Sequence, residues 1–111
     1  MPTSVPLYEA KAELFRTLGH PTRIRVLEIL QRGPTTVREM LEILGLEPST
    51  LSQQLAVLRR AGLVSSHREA STVRYALATP DVADLLSTGR RILGSTLANS
   101  RDLLDELGET S

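Results

Sequence analysis

The sequence contains no cysteine and no tryptophan, and only 3% of its 111 residues are aromatic. Without cysteine the chain forms no disulfide, no thiolate metal site and no thiol-based redox sensor. With so few aromatic residues we expect an aliphatic and mainly helical core. No apolar run approaches the length of a membrane span, and the N-terminus lacks the pattern of a signal peptide. We therefore expect a cytoplasmic protein without a membrane partner.

The length of the chain predicts one domain over residues 1–111, small enough to gain stability from a partner. The net charge is zero, which by itself argues against a nucleic-acid-binding protein. The charge is unevenly distributed, however. Residues 1–80 hold ten Lys and Arg against seven Asp and Glu, whereas residues 81–111 hold three against six. Twelve of the 13 basic residues are arginine, the side chain best suited to bidentate phosphate contacts.

Two short helices joined by a turn are predicted over residues 36–61. Thr36 and Glu39 have the spacing of a capping box, in which each side chain satisfies a backbone amide of the first helical turn. Gly45 stands where that helix should end, because glycine adopts the left-handed conformation without a Cβ clash. Pro48 is then suited to the first turn of the second helix. This pattern predicts a helix-turn-helix.

The second helix of this motif has one apolar and one polar face. Leu51, Leu55 and Leu58 recur at helical spacing and predict a buried stripe. Hydroxyls, carboxamides, a small alanine and an arginine occupy the other face and its flank: Ser49, Thr50, Ser52, Gln53, Gln54, Ala56 and Arg60. Such side chains suit base edges and phosphates. A plain solvated surface is the alternative interpretation of the same face.

The segments around this motif complete the order of a winged helix-turn-helix. Residues 1–6 are expected to be frayed, and helices are predicted from Leu7 to Leu18 and again from Pro21. Residues 63–77 predict a two-stranded hairpin, the wing, because short β-branched segments flank a polar turn. The fold class is therefore mainly α with a small β-hairpin.

A last helix is predicted over residues 80–107, where apolar residues recur every three to four positions. A helix of roughly 27 residues is about 40 Å long at 1.5 Å per residue, which exceeds what one small domain covers. We expect the excess apolar stripe to pack against its copy in a symmetric helical dimer.

Three stretches resemble the ArsR-type (ArsR/SmtB) family of bacterial repressors: residues 14–27, residues 49–64, and Arg68-Glu69 with Val73-Arg74-Tyr75. The resemblance covers roughly residues 8–107. It implies a homodimer that binds palindromic double-stranded operator DNA through the recognition helix and the wing. It also implies that an inducer releases the homodimer from the operator.

The resemblance also implies roles for individual residues. Base readout falls to Ser49, Thr50, Ser52, Gln53 and Gln54, and wing contacts fall to Arg68 and Arg74. Arg59 and Arg60 at the end of the recognition helix are further candidates for phosphate contacts. The dimer interface falls to the first and last helices, with the candidates Leu7, Leu14, Leu85, Leu86, Ile92, Leu93, Leu97 and Leu104.

The sequence departs from the family at its metal-binding positions. Residues 37–43 lack the Cys-x-Cys pair of some members. Other members carry Asp-x-His, followed ten residues later by His-x-x-His or His-x-x-Glu, on the last helix, and here Leu86 and Leu97 occupy the two leading histidine positions. Zinc requires nitrogen or thiolate donors in a closed set of about four, and the sequence supplies them at neither place, so we expect no metal and no cofactor. The wing turn also has Ala70-Ser71 where the family has glycine.

The function predicted from the sequence is a sequence-specific DNA-binding regulator, a homodimeric repressor released by a non-thiol signal. A small organic molecule or another protein is the expected inducer. The alternative is a winged-helix module for protein–protein interaction, which the zero net charge favours. An enzyme is not expected, because the two histidines are far apart and no glycine-rich phosphate loop is present.

Overall fold

The computed structural model describes residues 5–106, with side chains as far as residue 96. In chain order the elements are α1 (Leu7–Leu18), α2 (Pro21–Gln31), β1 (Thr35–Thr36), α3 (Val37–Leu44), α4 (Pro48–Arg60), β2 (Val64–Glu69), β3 (Thr72–Leu77) and α5 (Pro80–Glu106). The mainly α winged helix-turn-helix predicted from the sequence is thus confirmed. Residues 1–4 of the expected frayed segment and Leu107 lie outside the described residues.

The helix-turn-helix forms where its local signals place it. Thr36 caps α3, and both hydrogen bonds of the capping box with Glu39 are present. Gly45 follows α3 in the left-handed conformation with φ 65°, and its N–H donates to the carbonyl of Leu41 over 2.8 Å. Pro48 begins α4, where its missing N–H leaves no helical hydrogen bond unmade.

The core is aliphatic, as expected from the scarcity of aromatic residues. Its buried members are Val26, Leu27, Ile29, Leu30, Met40, Leu44, Leu51, Leu55, Leu58, Leu63, Val64 and Val82. The predicted stripe of α4 lies at its centre, since Leu51 and Leu58 are fully buried and Leu55 is 2% exposed. This stripe holds α4 against the domain, and the polar face of α4 therefore points outward.

The sheet has three strands in the order β1-β3-β2. The sequence predicts only two of them, the hairpin strands β2 and β3. The added strand, β1, is antiparallel to β3 and pairs Thr35 with Tyr75 and Thr36 with Arg74. Its two residues are too few to show the alternating pattern of a strand. By pairing with β3, β1 fixes the wing to the residues that cap α3.

The wing turns through a two-residue loop, Ala70-Ser71, between the paired residues Glu69 and Thr72. Ala70 has φ 56°, and it is the one non-glycine residue with positive φ in the described part of the chain. Glycine is favoured at such a position because an L side chain clashes with the backbone there.

Helix α5 leaves the core soon after it begins. Val82 is buried and Leu86 packs against the core, and Gln31 Nε2 on α2 donates to the Ala83 carbonyl over 3.2 Å and to Ser87 Oγ over 3.0 Å. Every residue from 90 to 96 is exposed in the single chain. Within the described residues, none of the helices has the length and apolar character needed to cross a membrane.

Candidate nucleic-acid interface

The outer face of α4 carries the predicted base-reading side chains. Ser49, Ser52 and Gln53 are exposed, whereas Thr50 and Gln54 are half-buried on the flank. These residues share one helix, but the structure places them in two environments. Gln53 extends into solvent, and Gln54 lies against α2.

Gln54 contacts a residue that the sequence did not single out. Arg23 Nε on α2 donates a 2.8 Å hydrogen bond to Oε1 of Gln54. The two residues are 31 positions apart in the chain, so no local pattern connects them. Arg23 therefore joins the candidate site as a neighbour of the reading face.

Arg59 and Arg60 lie in the last turn of α4, and both are exposed. They border a cleft of about 450 Å³ between α4 and the sheet, together with Ser52, Ala56 and Tyr75. Tyr75 is a second residue that sequence reasoning missed as part of the site. The sequence places Tyr75 only within the family resemblance, and the structure shows that it borders this cleft.

The two candidate wing arginines lie on opposite faces of the hairpin. Arg68 pairs with Val73, whereas Arg74 pairs with His67. Directly opposed residues of an antiparallel pair share a face, and adjacent residues of a strand alternate between faces. Arg68 is thus on the face of Tyr75, which borders the α4 cleft, and Arg74 is on the outer face.

Arg74 also acts on the cap of α3. The pKa of the Glu39 carboxyl is lowered, first by the hydrogen bond from the Thr36 backbone N–H, then by that from the Thr36 hydroxyl, and further by the charge of Arg74. The ionised carboxylate is the form that accepts these hydrogen bonds. Arg74, which pairs with Thr36 between β1 and β3, makes the smallest of these contributions.

The candidate dimer residues divide into a half-buried and an exposed group, and Leu85 belongs to the half-buried one. Leu14 and Leu86 pack partly against the core of their own chain, whereas Leu7, Ile92 and Leu93 are 68%, 62% and 59% exposed. Leu97 and Leu104 lie beyond the described side chains.

A groove of about 710 Å³ lies between α1, α2 and α5. It is lined by Phe15, Leu18, Ile24, Glu28, Leu85, Leu86, Thr88, Gly89, Arg90, Ile92, Leu93 and Gly94. Phe15, which is 58% exposed, was missed as an interface candidate because its spacing on α1 also fits a core position. Exposed apolar patches of this kind mark interaction surfaces.

In the part of the chain that the structure describes, no three His, Cys, Asp or Glu side chains come together in a way that would hold a metal ion.

Comparison with known sequences gives a consistent family. The model described as "Bacterial regulatory protein, arsR family" matches residues 20–66. The uncharacterised HTH-type transcriptional regulator Rv0081 of Mycobacterium tuberculosis is 48% identical over 105 residues, 94% of this chain and 92% of that protein. A probable mercury resistance operon repressor of Streptomyces lividans is 33% identical over 90 residues, 81% of this chain and 72% of the relative.

Solved structures agree with the sequence matches. The crystal structure of M. tuberculosis Rv0081 has a TM-score of 0.81 at 49% identity and covers 87% of this chain and 98% of its own. The homodimeric winged helix-turn-helix DNA-binding domain of Mb0332 from Mycobacterium bovis, a possible ArsR-family transcriptional regulator, has a TM-score of 0.78 at 25% identity. That match covers 89% of this chain and 95% of the Mb0332 chain.

Proposed function

This chain belongs to the ArsR family of winged helix-turn-helix transcriptional regulators, and we propose that it is a repressor that binds a palindromic operator as a homodimer. DNA binding and the regulation of transcription are the functions of this family, which is not a class of enzymes. The observation that carries the proposal is the polar outer face of α4, on which Ser49, Ser52 and Gln53 are exposed, together with four exposed arginines on α4 and the wing.

Helix α4 acts as the recognition helix in this proposal. One α4 from each subunit enters the major groove at half-sites about 34–36 Å apart. Ser49, Thr50, Ser52, Gln53 and Gln54 face the base edges. Gln53 is suited to a bidentate contact with adenine, because its carboxamide offers both a donor and an acceptor. Each good contact of this kind discriminates against a wrong base by about 1–3 kcal/mol.

The arginines hold the phosphate backbone. Arg59 and Arg60 follow the recognition face on α4, where they would contact the phosphates at the border of the major groove. Arg68 and Arg74 lie on opposite faces of the wing. A β-hairpin with one arginine on each face is suited to a DNA groove, because a phosphate backbone borders the groove on each side.

The second subunit is proposed to cover the apolar groove between α1, α2 and α5. Phe15, Ile92 and Leu93 leave more than half of their surface in solvent in the single chain, and the described part of α5 extends beyond the core. The Mb0332 domain, to which this chain is similar, is homodimeric. A symmetric pair would bury these side chains against their own copies.

The signal that releases the operator is proposed to be a small organic molecule or another protein. The sequence has no cysteine, so thiol oxidation and thiolate–metal chemistry have no site in this chain. A DNA target further implies action in the cytoplasm. Release of bound operator by micromolar metal ions would contradict this part of the proposal.

Selection of bound DNA from a random pool by the purified protein tests the function and gives the half-site. We expect a palindrome, and we expect affinity to fall steeply with salt because phosphates are neutralised. The double variant Ser52→Ala, Gln53→Ala should lose most of its sequence preference while it remains folded and dimeric. A flat salt response, or no DNA binding at low salt, would instead support a protein-interaction module.

A further inference from the structure

Arg23 joins three helices through one guanidinium group. From α2, its Nε donates to Oε1 of Gln54 on α4 over 2.8 Å, and its Nη1 donates to the backbone carbonyl of Thr17 over 3.2 Å. Thr17 lies in the last turn of α1, where helical carbonyls lack a partner within the helix. Both hydrogen bonds are partly buried, so water competes with them less than at the surface.

The chemistry of arginine fixes the orientation of the Gln54 carboxamide. A guanidinium group has five N–H donors and no acceptor, so the atom of Gln54 that faces Arg23 is the oxygen. The amino group of Gln54 is therefore directed elsewhere, and its Nε2 makes no hydrogen bond to any other described residue. Gln53, one residue earlier and exposed, makes no side-chain hydrogen bond within the same part of the chain.

We propose that Arg23 is a positioning residue for operator recognition: it holds Gln54 as a hydrogen-bond donor, so that Gln54 recognises an acceptor on a base edge. This inference rests on the proposed function. A bidentate contact with adenine requires the carboxamide oxygen and nitrogen to be turned together toward the base edge, whereas the Gln54 oxygen is turned toward Arg23. The two adjacent glutamines thus have different roles, with the adenine contact left to Gln53.

The bases that Gln54 recognises follow from its remaining group. The amino group donates to N7 of either purine, to O6 of guanine or to O4 of thymine, the acceptors on the major-groove edge. It opposes the N4 amino group of cytosine, which is itself a donor. The hydrogen bond to Arg23 also fixes the flexible side chain before DNA arrives, which removes part of the entropy lost on binding.

The variant Arg23→Met tests this role, because it keeps a long unbranched stem and removes both hydrogen bonds. Arg25→Met is the matched control. Arg25 is exposed on the same helix, and two positions correspond to a rotation of about 200°, so it lies on the side of α2 opposite Arg23. Both variants lose one positive charge, and any purely electrostatic loss of DNA affinity is common to both.

We expect Arg23→Met to lower the preference for one base pair of each half-site about twofold to tenfold, which is the range for one hydrogen bond. The other positions of the half-site should keep their preference, and the Arg25→Met half-site should match that of the unmodified protein. The measurement is selection from a random pool, followed by competition binding with operators altered at single base pairs.

Gln54→Glu separates recognition from packing. The carboxylate still accepts from Arg23, with a stronger charge-assisted hydrogen bond, but it has no donor to offer DNA. We expect this variant to unfold at the same or a higher temperature and to lose preference at the same base pair as Arg23→Met. If Arg23 and Gln54 only pack the helices together, the Gln54→Glu variant should keep its base preference, and its DNA affinity should be reduced equally for all sequences.

Two results would overturn the inference, and they differ from failure of the proposed function. One is an Arg23→Met half-site identical to that of Arg25→Met, and the other is a Gln54→Glu half-site identical to that of the unmodified protein. The second comparison stands even if Arg23→Met does not fold. If the unmodified protein itself selects no sequence, the proposed function fails, and this inference fails with it.

Discussion

Thr36 and Glu39 satisfy each other's backbone amides at the start of α3. The Glu39 N–H donates to Thr36 Oγ1 over 3.1 Å, and the Thr36 N–H donates to Glu39 Oε1 over 2.9 Å. The Thr36 hydroxyl donates to the same carboxylate oxygen over 2.8 Å. These hydrogen bonds lower the pKa of the Glu39 carboxyl from its ordinary value, so the cap is coupled to pH.

Substitution Glu39→Gln should destabilise the protein at neutral pH, and the difference should shrink as the solution becomes acidic. A carboxyl whose pKa is lowered in the folded state stabilises the fold above its unfolded pKa, and this contribution is lost as pH falls through the folded pKa. At low pH both side chains are neutral. Urea unfolding at a series of pH values measures the difference, and Glu42→Gln on the same helix is the control. A difference that is constant with pH would contradict this account of the cap.

Substitution Ala70→Gly should stabilise the protein by about 0.5–1 kcal/mol. The substitution removes the steric cost of alanine in the left-handed conformation, which is about 1–2 kcal/mol. The greater backbone entropy of glycine in the unfolded chain offsets part of this gain. The neighbouring Ser71 does not have positive φ, so Ser71→Gly should be destabilising. Thermal unfolding at one fixed protein concentration compares the two, since the stability of a dimer depends on concentration. Equal effects of both substitutions would show that the turn differs from the one described.

Local signals predicted much of this fold, and contacts distant in sequence account for what they missed. The capping box, Gly45 and Pro48 each act within one helical turn, so their residues suffice to place α3 and α4. The strand β1 is two residues long and exists only because β3 lies beside it. For the candidate site, the exposed face of α4 followed from its buried stripe. The separate environments of Gln53 and Gln54 did not, because Arg23 approaches from another helix.

The wing arginines should contribute separately to the salt dependence of operator binding. Because Arg68 and Arg74 lie on opposite faces of the hairpin, each is proposed to contact phosphates that the other does not reach. We expect Arg68→Ala to reduce the slope of log affinity against log salt by about one per subunit, and Arg74→Ala to add a similar reduction. Base preference should be unaffected by either.

The control for the wing variants is Arg32→Ala, which removes an exposed arginine from the end of α2. Its slope should match that of the unmodified protein. If the double wing variant had the slope of either single variant, the two arginines would share one phosphate, and the assignment of one groove wall to each face would be wrong.

Charges placed in the α1/α2/α5 groove should separate the subunits. Ile92 and Leu93 are largely exposed in the single chain, and in a dimer they are proposed to be buried against the partner. The double variant Ile92→Asp, Leu93→Asp would bury unpaired carboxylates in an apolar contact, which raises the dimer dissociation constant by about 100-fold or more.

Ile43→Asp is the control, because Ile43 is 51% exposed on α3 outside this groove. Sedimentation equilibrium should show a monomer for the groove variant and a dimer for the control. Operator affinity should fall with the dimer, since a monomer brings one recognition helix to a site built for two. A groove variant that stays dimeric would place the interface on another surface and leave the apolar face of α5 without its proposed partner.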